Sequence, residues 1–352
     1  MSIRTTQSLA VDLRSDTVTK PSPAMRYAMA EATVDDDVLG HDPTMAELEQ
    51  RTAELLGKEA GLFLVSGCQS NLTAMMIHLK RGDQFLAPRF AHILQYELGT
   101  VSWLAGGMGF ELEWGNTPGV PALADVAAIA QSHNRDHRYY ELTPSLLTLE
   151  NTHNHAGGSV IAKPEYDALV AQAHGAGWRV HLDGARLWHA AAALGISMAD
   201  AAGQADTVSV CFSKGMGAPV GSVLCGTTEI IAEARRARKM LGGGIRQGGV
   251  LAAAALVALD QELPRIDQDR IRATRLAAGL AEMGFDAPEP PTNILMVRPG
   301  QASRLTAAEL AAAWTVAGVG CVTMGNAVRL VTHRDIADLA IDKALDLIKS
   351  TL

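Results

Sequence analysis

Apolar and polar positions switch between helical and strand periods along most of the chain. Thr44 and Glu47 form a capping box ahead of apolar residues at helical spacing, which predicts a helix over residues 45–56. A short apolar run at 62–65 then leads into a turn of small residues at 66–71, and a second helical stretch follows. This order of elements is typical of an α/β fold with a mainly parallel sheet.

Three further buried strands are predicted, and a polar residue stands at the end of each. The strands and the residues that follow them are 146–149 with Glu150, 178–182 with Asp183, and 206–212 with Ser213 and Lys214. Ligand sites in open α/β sheets lie beyond the carboxyl ends of the strands. We therefore expect the functional residues of this chain at that edge of the sheet.

The pattern changes near residue 260, where a long charged helix begins. After it come a predicted strand at 293–297, a helix at 305–316 and a strand at 328–331. We predict an N-terminal segment plus a large domain over residues 1–260 and a smaller C-terminal α/β domain over 261–352.

Composition and charge narrow the functions that are possible. Apolar residues make up 48% and charged residues 19% of the 352 residues, which is enough hydrocarbon for a large core and excludes general disorder. Lys and Arg number 30 against 38 Asp and Glu, so the net charge is −8. This balance argues against nucleic acid or an anionic membrane as a partner and favours a small molecule.

Cysteine usage and hydropathy predict the compartment. The four cysteines, Cys68, Cys211, Cys225 and Cys321, are far apart and form no C-x-x-C pair. The longest apolar stretch, 250–259, is far short of the roughly 20 residues that span a bilayer. We expect a reduced, cytoplasmic protein with no export signal and no membrane segment.

Asp183 and Lys214 are the first candidate chemical pair. They lie 31 residues apart (214 − 183), about one strand-helix-strand unit, so both can face one crevice from neighbouring strands. A carboxylate and an amine placed in this way suit pyridoxal phosphate, the carboxylate holding the ring nitrogen protonated and the amine forming a Schiff base. Taken singly, Asp183 also fits a helix N-cap and Lys214 a solvated loop lysine.

The turn at residues 66–69 supplies a third feature. Small residues there open a helix, where free backbone amides and the helix dipole attract a phosphate group. Such a turn alone is weak evidence, but together with Asp183 and Lys214 it strengthens the case for a phosphorylated cofactor.

Several longer motifs make the assignment more specific. In this order and with these residues the chain resembles the L-threonine aldolases, in the β-eliminating lyase group of fold type I pyridoxal-phosphate enzymes. The matching stretches are residues 12–19, 35–44, 66–67 with Asn71, 149–154, 181–186, 213–215, 238–239, 242–247 and 329–333. The resemblance runs from about residue 10 to residue 335.

The resemblance implies roles for the cofactor-side residues. Lys214 is the Schiff-base lysine, Asp183 the partner of the pyridine nitrogen, and His92 the residue stacked on the cofactor ring. The phosphate is held by Gly67, Cys68 and Ser213, and Arg246 reaches the cofactor of a neighbouring subunit. Position 68 is commonly threonine in this family, whereas a cysteine thiol is a much weaker donor.

The resemblance also implies the substrate side and the reaction. Ser15, Arg186 and Arg329 bind the substrate carboxylate, and Arg186 counts among the cofactor contacts as well. The expected activity is cleavage of L-threonine, L-allo-threonine or phenylserine to glycine and an aldehyde, by a homodimer or homotetramer with the site at a subunit interface. The alternative is β-elimination or transamination of another amino acid. The base for the β-hydroxyl proton is His92 or a water that it holds.

Two local features leave alternatives open. Many relatives carry a histidine facing the β-substituent at the position of residues 133–140 of this chain, so Tyr140 or His137 is expected there, or else the stretch is a solvated loop.

His153 and His155 have the spacing of metal ligands on a strand and, with Asp183, suggest a hydrolase. Because no third ligand has convincing spacing, we predict no metal site.

Overall fold

The computed structural model describes residues 9–133, 140–301 and 303–352. Its strands are β1 (Val11–Asp12), β2 (Ala60–Leu64), β3 (Gln84–Pro88), β4 (Met108–Leu112), β5 (Pro144–Glu150), β6 (Arg179–Gly184), β7 (Thr207–Cys211), β8 (Ser222–Gly226), β9 (Ile294–Val297), β10 (Val319–Gly320), β11 (Val322–Met324) and β12 (Ala327–Val331). Its α-helices are α1 (Pro23–Ala30), α2 (Pro43–Leu55), α3 (Gly67–His78), α4 (His92–Gln95), α5 (Leu123–His133), α6 (Lys163–Gly175), α7 (Leu187–Leu194), α8 (Met198–Ala202), α9 (Thr228–Met240), α10 (Gly249–Gln261), α11 (Asp267–Glu282), α12 (Ala307–Val316) and α13 (Asp338–Lys349).

The main sheet has seven strands in the order β2-β8-β7-β6-β5-β3-β4. Strands β7, β6, β5, β3 and β4 are parallel, and β8 runs antiparallel to both of its neighbours, β7 and β2. As a result β2 points the same way as the parallel strands, so the turn that follows it lies at their carboxyl edge. The predicted mainly parallel sheet is confirmed, as is the neighbouring position of β6 and β7.

Both faces of the main sheet are covered, as expected when crossover helices flank parallel strands. In β2, Phe63 joins one buried apolar cluster while Leu62 and Leu64 join another. Leu147 and Leu146 of β5 divide in the same way. Because side chains alternate along a strand, these two clusters are the cores on opposite faces of the sheet.

A second unit contains the C-terminal helices α11, α12 and α13 and an antiparallel sheet in the order β11-β12-β9. These elements other than β11 share a buried apolar cluster, and α10, the last α-helix before them, ends at Gln261. The division of the chain after residue 260 stays a prediction. Strand β1 pairs with β10 through Val11 and Val319, and Leu13 is buried in the same apolar cluster as α11 and α12, so the N-terminal strand packs with the C-terminal unit.

Helix α10 explains the longest apolar stretch of the sequence. Its alanines are buried in the protein interior, and the helix packs against α1 and α2. None of the helices in the described ranges is long and apolar enough to cross a membrane.

Candidate active site

Five chain segments meet at the carboxyl edge of the main sheet. They follow β2, β3, β5, β6 and β7, and they carry the residues that the sequence analysis singled out. Asp183 of β6 is paired in register with Glu150 of β5 on one side and Ser209 of β7 on the other. Lys214 lies three residues beyond β7 and interacts electrostatically with Asp183, as the strand spacing predicted.

Asp183 is held from behind by Asn71. The Asn71 amide donates to Asp183 Oδ2 and to Glu97 Oε1, both at 2.8 Å, while its carbonyl oxygen lies 3.1 Å from His181 Nε2. His181 Nδ1 in turn lies 2.9 Å from the hydroxyl of Thr207. All five side chains are buried, so this hydrogen-bond chain fixes the position of the Asp183 carboxylate.

The electrostatics of Asp183 keep it ionised. Burial alone favours the neutral acid, but the charges of Lys214 and His92 and the hydrogen bond from Asn71 outweigh it, and the pKa of Asp183 lies below its usual value. His181 behaves differently, because burial lowers its pKa to about 3. A neutral His181 thus stands behind an ionised Asp183.

His92 begins α4 and is oriented by Glu97. Its Nδ1 lies 2.8 Å from Glu97 Oε1, and its backbone amide donates to Glu150 at 2.6 Å. Burial alone lowers the pKa of His92, yet the hydrogen bond to Glu97 and the charge of Asp183 raise it above its usual value. Burial also raises the pKa of Glu97. The pair resembles a carboxylate-oriented imidazole with its Nε2 free to accept a proton.

The turn before α3 has the geometry of an anion site. Ser66 is the N-cap and accepts from the Gln69 amide at 3.2 Å, and the first intrahelical bond runs from the Ser70 amide to the Ser66 carbonyl. The Gly67 and Cys68 amides precede that bond, where a helix presents its free donors. A Cβ on Gly67 would lie 2.8 Å from Cys211 Sγ, so only glycine allows this close approach to the end of β7.

Two buried arginines converge on Asn154. Arg186 forms a two-pronged ion pair with Asp16 at 2.7 Å and also reaches Asn154 Oδ1 at 3.4 Å. Arg329 donates to the same oxygen at 2.9 Å, while its Nε has no hydrogen-bond partner among the described residues. Burial, together with the charge of Arg186, lowers the pKa of Arg329 to about 10. Two cations this close favour an anion between them.

Glu150 connects the two sides of the site. One of its oxygens accepts the His92 amide and the other the Asn154 amide, at 2.6 and 2.8 Å. The segment after β3 and the segment after β5 are therefore attached to the same carboxylate. Thr19 adds a further connection, because its hydroxyl donates to the Lys214 carbonyl at 2.9 Å.

Most of the predicted site residues are brought together, and Tyr140 and Arg246 are not. Ser15 lies beside Asp16, and Ser213 directly precedes Lys214. Tyr140 is 68% exposed and lies four residues before β5, at the opposite end of that strand from Glu150. Within one chain it does not reach the site, because a strand of this length separates them. His137 lies outside the described residues.

Arg246 also stands apart from the site within one chain. It is exposed, and its carbonyl accepts the Asp37 amide at 2.8 Å. The suggested histidine metal pair is not assembled either. His153 packs its ring against Trp114, His155 bonds to Tyr96, and the group of three converging metal-ligating side chains in the described residues includes neither histidine.

Sequence reasoning gave no role to five residues that organise the site. These are Asp16, Asn71, Glu97, Glu150 and Asn154. Four of them lie inside or at the end of the matched stretches, so the family motifs could have indicated a role that strand spacing did not. No motif includes Glu97, because its contacts depend on where the segment after β3 packs.

Comparison with known protein families assigns the chain to a family. The family model described as beta-eliminating lyase matches residues 12–301. The chain belongs to the β-eliminating lyase family. The predicted family resemblance is thereby confirmed, and so is the prediction of an enzyme of the lyase class.

The relatives agree with this family over nearly the whole chain. Low-specificity L-threonine aldolase 1 of Arabidopsis thaliana is 41% identical over 337 residues, covering 93% of this chain and 92% of that protein. The low specificity L-threonine aldolase of Escherichia coli K12 is 37% identical over 327 residues, covering 93% of this chain and 95% of that protein. The structure of threonine aldolase from Leishmania major has a TM-score of 0.81 at 20% identity, covering 97% of this chain and 99% of that one, which confirms the predicted fold.

Proposed function

We propose that this chain is a pyridoxal-phosphate-dependent aldolase of the L-threonine aldolase type. It cleaves L-threonine, L-allo-threonine and related L-β-hydroxy-α-amino acids to glycine and an aldehyde. The observation that carries the proposal is the meeting of two features at one sheet edge: the buried Asp183 facing Lys214, and Arg186 and Arg329 converging on Asn154.

The donor set fits the cofactor. Lys214 would supply the amine for the cofactor aldehyde, Asp183 would supply the carboxylate for its ring nitrogen, and the amides of Gly67 and Cys68, with Ser213, would hold its phosphate. His92 would supply an aromatic ring to contact the cofactor ring. When bound, the cofactor withdraws electrons from the α-carbon of an amino acid through its protonated nitrogen.

The two arginines orient the substrate. Arg186 is immobilised by Asp16, and Arg329 has an Nε that has no hydrogen-bond partner among the described residues and that can donate to a carboxylate oxygen. Anchoring the carboxylate sets which bond at the α-carbon aligns for cleavage, here the bond to the β-carbon. Ser15, next to Asp16, lies on the same side and contributes its hydroxyl.

His92 is the base for the β-hydroxyl. Because Nδ1 donates to Glu97, Nε2 is free to take the hydroxyl proton while the bond between the α-carbon and the β-carbon breaks. The products are an aldehyde and, after the α-carbon has taken up a proton, glycine. The raised pKa of His92 makes it a stronger base than an unpaired imidazole.

A homo-oligomer, a dimer or a tetramer, completes our proposal, with Arg246 reaching the site of a neighbouring subunit. Support comes from the surface beside Arg246, where Val38, Leu39 and Met240 are exposed although they are apolar. Covering such side chains favours association. The cysteines carry no disulfide, which supports a reduced, cytoplasmic compartment.

The test uses the purified full chain with pyridoxal phosphate. Threonine should give glycine and acetaldehyde in equal amounts, and borohydride reduction should leave the cofactor attached to Lys214. A keto acid and ammonia as products would support β-elimination instead. Lys214→Ala should lose the attachment and nearly all turnover, because no other amine replaces it. Retained colour and rate in that variant would contradict the proposal.

A further inference from the structure

Three metal-ligating side chains meet beside the cofactor lysine. Cys68 lies in the first turn of α3, His92 begins α4 and Glu97 follows α4. One ligand atom from each lies within 4.8 Å of the other two. A thiolate, an imidazole and a carboxylate are the ligand types that Zn²⁺ takes in proteins.

Glu97 supplies an independent observation. Its side chain is buried, and Oε2 has no hydrogen-bond partner in the described part of the chain, while Oε1 is approached by both Asn71 and His92. A buried carboxylate oxygen without a donor is costly. A cation bound by the Glu97 carboxylate, the imidazole and the thiol would give this carboxylate the missing partner.

The surrounding charge also favours a cation. The carboxylates of Glu97 and Asp183 act electrostatically on the Cys68 thiol, and the amine of Lys214 opposes them. Two carboxylates therefore face this thiol and one amine offsets them. A coordinated metal ion deprotonates its thiol ligand outright.

We propose that Cys68, His92 and Glu97 form a binding site for one soft divalent transition-metal ion, of which Zn²⁺ is the natural fit. Zinc bond lengths of about 2.3 Å to sulfur and about 2.0 Å to nitrogen place tetrahedral ligands about 3.5 Å apart. Cys68 is exposed, so rotation of its side chain closes the remaining gap. Water fills the fourth position.

The consequence for turnover rests on the proposed function. A metal ion shared with Glu97 binds Nδ1 of His92 and leaves the imidazole proton on Nε2, which can then no longer accept the β-hydroxyl proton, so Zn²⁺ should inhibit the aldolase. A threonine hydroxyl at position 68 is a poor ligand for a soft ion, which makes Cys68→Thr the informative variant.

The experiment is a Co²⁺ titration of the cofactor-free full chain, followed by absorption. We expect one Co²⁺ per chain, a thiolate-to-cobalt charge-transfer band in the near ultraviolet, and loss of that band when Zn²⁺ is added. Cys68→Thr should lose the band, and Glu97→Gln should weaken Co²⁺ binding about tenfold or more. Cys321→Ser is the matched control and should titrate like the wild type, because Cys321 is buried in the C-terminal unit.

No charge-transfer band in the wild type, or a band that survives in Cys68→Thr, overturns the metal site. Unchanged affinity in Glu97→Gln overturns it as well and does not depend on the cysteine variant folding. Since the readout needs no turnover, a missing band leaves the aldolase proposal intact. Missing glycine production with a normal band contradicts only the aldolase.

Discussion

The floor and the wall of the site are built on different principles. The floor, formed by Asn71, His181 and Asp183, is a buried chain in which each polar side chain is hydrogen-bonded to the next. The wall, formed by Arg186 and Arg329 around Asn154, holds two like charges together and leaves Arg329 Nε without a partner among the described residues. The floor is complete without ligand, whereas the wall is complete only with an anion.

The largest effect should come from breaking the floor at Asp183. Asp183→Ala removes the only ionised group of the floor, so the cofactor nitrogen loses its counter-charge and turnover should fall by several orders of magnitude. Cofactor binding should weaken less, because Lys214 and the turn before α3 remain. Steady-state rates and an equilibrium titration with pyridoxal phosphate measure the two quantities. A rate within tenfold of the wild type would exclude Asp183 from its proposed role.

The next largest effect should come from the wall. Arg329→Ala removes a charge-assisted hydrogen bond of about 1.5 to 3 kcal/mol, so kcat/KM for threonine should fall roughly 10- to 150-fold. Most of the loss should appear in KM, and the free energy of unfolding should change little, because the partners of Arg329 in the described residues are the Arg14 carbonyl and the Asn154 amide oxygen rather than a carboxylate.

Arg186→Ala is the matched comparison for the wall. It leaves Asp16 buried and unpaired, which should cost roughly 3 to 5 kcal/mol of stability in addition to activity. If Arg186→Ala and Arg329→Ala lost equal amounts of stability, the ion pair with Asp16 would not distinguish Arg186 from Arg329 as proposed.

Sequence reasoning succeeded where local pattern and topology coincide. Asp183 and Lys214 end neighbouring strands, and a strand-helix-strand spacing was enough to place them together. Strand β8 was not predicted, because a buried antiparallel strand carries no alternation to mark it. The pairing of β1 with β10 was missed for another reason, since Val11 and Val319 are more than 300 residues apart.

The site was predictable only in part, for a similar reason. Glu97 and Asn71 are hydrogen-bonded although they lie 26 residues apart in the sequence, and the residues around neither of them predict this contact. The expectation for Tyr140 came from an ungapped count, which cannot show that this residue precedes a strand instead of following one. The structure offers Tyr96 in its place, because Tyr96 packs against His92.

A third test addresses the floor through acid stability. Burial lowers the pKa of His181 to about 3, whereas an unfolded histidine titrates near about 6.5. Below pH 6.5 the unfolded chain therefore binds a proton that the folded chain does not, and His181 makes the free energy of unfolding fall as pH falls. In His181→Gln that slope should be shallower by about half a proton at pH 6.5 and nearly one proton at pH 5, or roughly 1 kcal/mol per pH unit over this range. Denaturant titrations at both pH values measure it, and identical slopes would mean that His181 is protonated in the fold.

The smallest effect is expected at Tyr96, which contacts His92 and interacts electrostatically with Arg329 of the wall. Its ring centroid is 5.4 Å from that of His92, its hydroxyl is 3.1 Å from His155 Nδ1, and it interacts electrostatically with Arg329. A half-exposed aromatic ring in this position can pack on the β-substituent of the substrate.

We therefore expect phenylserine to be cleaved at least as well as threonine, and Tyr96→Ala to lower kcat/KM for phenylserine about three- to tenfold more than for threonine, since an aromatic pair adds about 0.5 to 1.5 kcal/mol. Tyr96→Phe is the matched control, because it keeps the ring and loses only the hydroxyl, with its contact to His155 and its electrostatic interaction with Arg329. The same comparison with Tyr140→Ala separates the two candidates. A selective loss of phenylserine cleavage in Tyr140→Ala, with none in Tyr96→Ala, would place the neighbouring subunit's loop in the pocket and remove Tyr96 from it.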